Sequence, residues 1–60
     1  MKIIIEGKQG EGKSIMAKAV AAVVEIRGMT YVVKDSDGSR YTNNKFIGKP
    51  QVEIITRQTK

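Results

Sequence analysis

The sequence predicts an α/β fold, one helix on a small three- or four-stranded sheet that is mostly parallel or mixed. Three observations carry this. Lys2-Ile3-Ile4-Ile5-Glu6 is a β-branched run of strand length that stops at Gly7. From Ser14 to Arg27 the composition turns to Ala, Val, Met and Lys with no internal Pro or Gly, which suits a helix. Two further strand-like segments follow, near residues 29–34 and 51–57. Sixty residues imply one domain, 1–60, and a chain this size buries only about 60% of its unfolded surface.

Taken in order, the first strand should run from Lys2 to Glu6, and a Gly-rich loop separates it from the helix. Gly28 sits where a C′ glycine belongs, just past Arg27. Met29 to Lys34 reads as the second strand. A strand–helix–strand unit of this kind is a right-handed crossover in nearly all cases, so this strand should lie parallel to the first. Asp35-Ser36-Asp37-Gly38 is a strong turn signal, because Asp and Ser bond nearby backbone N–H groups and Gly accepts positive φ. Ser39 to Thr42 either returns as a short hairpin strand or stays loop. Asn43 to Pro50 is polar and reads as loop. Gln51 to Arg57 is the last strand, with Val52, Ile54 and Thr56 on one face and Glu53, Ile55 and Arg57 on the other. It is expected beside the first strand, on the side away from the second, with its direction open.

The loop holds the chemistry. Gly7-Lys8-Gln9-Gly10-Glu11-Gly12-Lys13-Ser14 matches G-x-x-x-x-G-K-[ST] in full. Glycines allow the backbone turns that aim successive N–H groups inward as an anion-binding nest. The helix that follows adds its unpaired N–H groups and the positive end of its dipole. Lys13 can then reach β- and γ-phosphates, and the Ser14 hydroxyl can join a Mg²⁺ shell. Chance matches should occur in about a few per thousand chains of this length, and a plain Gly-rich turn has no need of Lys13-Ser14. The dinucleotide pattern G-x-G-x-x-G fails, since Gly10 and Gly12 would need a third glycine where Ile15 stands.

On these residues the segment 1–28 resembles the opening strand, Walker A loop and first helix of P-loop NTPases. More loosely, that unit followed by Val52-Glu53-Ile54-Ile55-Thr56-Arg57-Gln58 resembles short P-loop proteins of bacteriophages and prophages. The resemblance implies a minimal P-loop-like unit that binds ATP or GTP, or another polyphosphate, with Mg²⁺. The nucleotide-binding residues are then Gly7, Lys8, Gln9, Gly10, Glu11, Gly12, Lys13 and Ser14.

Binding is not hydrolysis. A working site of this type also needs an acid at the Mg²⁺ shell and a group that orients the attacking water. Asp35 closes the second strand at the sheet end where α/β folds bind ligands, so it is the candidate metal-shell acid beside Ser14, with Asp37 in reserve. The alternative is that both aspartates only build the turn before Gly38. No catalytic residue stands out, and hydrolysis by the chain alone should be slow or absent. The absence of His removes the usual general base.

Partners follow from what is left over. The polar positions Ser14, Lys18 and Glu25 make one narrow stripe, and the rest of the helix is apolar, a wide face for one surface helix. A parallel sheet normally needs both faces covered, and one helix covers one. Either the loop with Phe46 and Ile47 folds over the second sheet face, or a homodimer or another protein partner does. A small interaction or regulatory protein with a purely structural P-loop is the alternative function. The net charge of +5 permits sequence-independent nucleic-acid binding, but stacking would want aromatics among the cations, and only Tyr41, Lys45 and Phe46 come near that. The apolar runs are far short of the roughly 20 residues that span a bilayer. No membrane segment is expected, and the lack of Cys fits a reducing cytoplasm.

Overall fold

The computed structural model describes residues 1–43 and 49–59. It is a minimal α/β unit with one helix on a four-stranded, mostly parallel mixed sheet. The elements are β1 (Lys2–Gly7), α1 (Lys13–Ile26), β2 (Tyr31–Lys34), β3 (Arg40–Thr42) and β4 (Val52–Gln58). The sheet order is β1-β4-β2-β3. β4 pairs in parallel with β1 on one side and β2 on the other, and β3 returns antiparallel to β2.

β1 and β2 are parallel, as the crossover requires. β4, however, lies between them and not on the far side of β1. The burial pattern explains this correction. On β4, Val52, Ile54 and Thr56 all face inward and are buried, with Ile54 at 0% exposure. On β1, Ile3 and Ile5 are only half-buried. The strand with the most inward apolar surface takes the centre beneath the helix, where both of its edges are also hydrogen-bonded. Glu53 to the Met1 carbonyl (2.8 Å) and Thr59 to the Gly7 carbonyl (2.9 Å) extend the β1–β4 ladder at both ends.

The core forms where α1 crosses the sheet. Ala17, Ala21 and Val24 recur at helical spacing and pack on Val33, Val52 and Ile54, with Ile3, Ile5, Val20, Met29, Tyr31 and Tyr41 around them. The helix ends in a Schellman motif. Gly28, at φ 77°, donates to the Glu25 carbonyl and Met29 to the Val24 carbonyl. This cap uses Met29, so β2 starts only at Tyr31.

The hairpin alternative for residues 39–42 is the one realised. Asp35 N–H donates to the Ser39 carbonyl (2.8 Å), Gly38 N–H to the Asp35 carbonyl (3.0 Å), and Ser39 N–H to Asp37 Oδ1 (2.7 Å). Asn43 then ties the hairpin's open end, accepting from Tyr31 N–H (2.8 Å) and donating to the Met29 carbonyl (3.1 Å).

The sheet's second face is laced with charge of alternating sign. In register, Lys2 lies beside Glu53 and Glu6 beside Arg57, and Lys34 Nζ is 3.7 Å from Glu53 Oε1. Between these pairs Ile4, 41% exposed, lies beside Ile55. The expected cover by Phe46 and Ile47 lies outside the described residues. No described helix is long and apolar enough to cross a membrane.

Candidate phosphate-binding site

The Gly7–Ser14 loop joins the C-terminal end of β1 to the N-terminus of α1. Gly10 and Gly12 have φ of 88° and 82°, a region that costs other residues roughly 1–2 kcal/mol. Gly12 is the helix N-cap, and its carbonyl accepts the first helical bond from Met16 N–H (2.9 Å). No side chain caps this end, and the first turn carries no acidic residue. The first-turn N–H groups thus have no side-chain partner at the cap.

Within the loop, Glu11 N–H donates to the Lys8 carbonyl (3.2 Å). The Lys13 ammonium donates to the same carbonyl (3.0 Å). In turn the Glu11 carboxylate accepts from Lys8 N–H. Both side chains cross Gly7, where an added Cβ would stand 3.3 Å from Lys13 Cγ and 3.4 Å from Glu11 Oε1. Gly7 is therefore a close-approach glycine that leaves room for the lysine stem.

At the same end of the sheet, Asp35 follows β2. Its carboxylate accepts a hydrogen bond from Thr56 Oγ1 (2.8 Å), and the Ser14 hydroxyl lies near enough to lower its pKa. Thr56 accepts in turn from Ser36 N–H (2.7 Å). The structure thus brings together the motif serine, the candidate acid and a buried threonine from three different elements. The nearby Ser14 hydroxyl is the main cause that holds the Asp35 carboxyl below its usual range; Thr56 and the N–H groups of Asp37 and Ser36 add to it, and partial desolvation opposes it. Asp37 builds the turn through Ser39, whereas the Asp35 side chain serves both the turn and the site.

Thr56 is the residue that sequence reasoning missed as a site component. Its signal was present: a hydroxyl on an otherwise aliphatic inward face, at the ligand-binding end of the strand. Among the described residues no group of three or more His, Cys, Asp or Glu side chains is placed to hold a metal. Tyr41 packs edge-on against Tyr31, ring centroids 6.4 Å apart, on the border of the core. Lys45 and Phe46, the other members of the basic–aromatic set, lie outside the described residues.

The Asp35 network has a pH signature. The folded-state pKa lies below the ordinary value of 3.8, so the associated stability is fully present above that value. It is lost as pH falls through the depressed folded pKa. Chemical denaturation across acid pH should show stability falling below about pH 4, and Thr56→Val should reduce that dependence.

Comparisons with protein-family models, with curated proteins and with solved structures find no match for the chain.

Proposed function

We propose that this chain binds the polyphosphate of ATP or GTP with Mg²⁺ at the Gly7–Ser14 loop, and that alone it hydrolyses little. The observation that carries the reading is the placement of Ser14 close to the Asp35 carboxylate, which Thr56 also holds, beside an uncapped helix N-terminus. It supplies the two protein groups that a magnesium–nucleotide site uses, next to backbone N–H groups suited to phosphate. The donor set of one carboxylate and neighbouring hydroxyls fits Mg²⁺, which prefers one or two carboxylates plus phosphates and water over an all-protein cage. Ser14 and Asp35 would hold its shell, where the ion would neutralise charge between β- and γ-oxygens. Lys13 would leave the Lys8 carbonyl for the phosphates.

Titrating Mg–ATP and Mg–GTP while recording amide shifts tests this. Shifts concentrated at residues 7–14 and at Asp35 are expected below millimolar nucleotide; an unmoved loop at millimolar concentration refutes the reading.

A second reading, an interaction protein whose loop is structural, draws on the same geometry. Glu11 and Lys13 satisfy loop groups from within. Glu11→Gln separates the two. If the loop binds phosphate, removing this charge should tighten Mg–ATP about fivefold, the ~1 kcal/mol of a like charge at about 4 Å in water. An unchanged, negligible affinity favours the structural loop.

A further inference from the structure

The outer surface of α1 is apolar from end to end. Ile15, Met16, Ala19, Ala22, Val23 and Ile26 are all exposed, Ile15 at 74% and Ile26 at 84%. At about 100° per residue they form one continuous face, opposite the Ala17–Ala21–Val24 face that packs on the sheet. On the second sheet face Ile4 is paired with a half-buried Ile55 and flanked by charged side chains, so fewer large apolar side chains are exposed there than on the helix.

The geometry points to a second copy of this chain as the occupant, with the two helices packed antiparallel about a two-fold axis. The spacing is self-complementary. Ile15 and Ile26 share a midpoint with Ala19 and Ala22, between Val20 and Ala21, so one crossing sets Ile15 of one copy against Ile26 of the other and Ala19 against Ala22. The alanines at the middle permit close approach of the helix axes.

The flanking charges agree with that orientation. Lys18 and Glu25 lie on the same side of the apolar face, seven residues apart. In an antiparallel pair the same flanks meet, which places each Lys18 near Glu25 of the other copy, with an axial offset of about 3 Å that a lysine spans. The interface therefore carries two equivalent opposite-charge contacts, although each chain has a net charge of +5. This inference does not depend on nucleotide binding.

Sedimentation of the whole chain over a concentration series tests it. The wild-type mass should double within the sub-millimolar concentration range. Lys18→Glu and Glu25→Lys should each weaken self-association about tenfold, since each replaces two attractive contacts with repulsive ones. A mixture of the two single variants should associate again, because every flank contact is then between opposite charges. Ala19→Glu, which buries a carboxylate in the seam, should be monomeric with the circular dichroism of the wild type. A wild-type monomer at millimolar concentration overturns the proposal. So does a dimer indifferent to these changes, or single variants that fail to re-associate on mixing.

Discussion

Ile54→Ala should remove half or more of the chain's stability and lower its unfolding midpoint sharply. Ile54 is fully buried at the middle of the central strand, beneath Ala17, Ala21 and Val24. Deleting its branched side chain costs about 2–5 kcal/mol, towards the upper end where neighbours cannot collapse into the gap. Here the flanking strands β1 and β2 are both fixed to β4 by hydrogen bonds. A 60-residue domain commands roughly 3–9 kcal/mol in total, so the loss takes half or more of it. The check is urea or thermal unfolding by circular dichroism. A midpoint within a few degrees of wild type would mean that the core does not centre on β4. The paired control is Ile4→Ala on the second sheet face, where the side chain is 41% exposed and the cost should stay below about 1.5 kcal/mol.

Lys13→Ala should weaken Mg–ATP binding by about a hundredfold or more and leave stability nearly untouched. The ammonium's present bond is an exposed one to the Lys8 carbonyl, worth little to the fold. At a polyphosphate the same group makes charge-assisted bonds at about 1.5–3 kcal/mol each, and two of them convert to at least a hundredfold in affinity. Calorimetric titration of both proteins, with thermal melts run alongside, reads the two effects separately. Equal affinity in the variant would remove Lys13, and with it the phosphate reading, from consideration.

Much of this architecture was legible because it is local. The Ile3–Ile5 run, the Gly12-Lys13-Ser14 helix start, the Gly28 cap and the Asp-Ser-Asp-Gly turn are each decided within a few residues. The position of β4 was not legible, since alternation along Val52–Thr56 says which side chains share a face but not which strands flank them. That choice depends on the relative burial of β1 and β4 under one helix, a property of the assembled sheet. Asp35 shows the same limit on a smaller scale. Its turn role follows from its neighbours in sequence, whereas its bond to Thr56 and its proximity to Ser14 connect residues 21 positions away in each direction. The helix pattern likewise showed too much apolar surface without showing that the excess faces outward.

The central place of β4 also bears on how the chain reaches its fold. β1 and β2 are not paired with each other, and each makes its parallel pairing with the strand that follows them both in sequence. The emerging chain can therefore form its helix and the β2–β3 hairpin early, but no parallel pairing exists until Val52–Gln58 has been made. Every parallel contact closes a long loop, and such topologies fold slowly for their size. During synthesis the Gly7–Ser14 loop has no Thr56 to fix the neighbouring Asp35, so the candidate site and the sheet should be completed in one step, by β4.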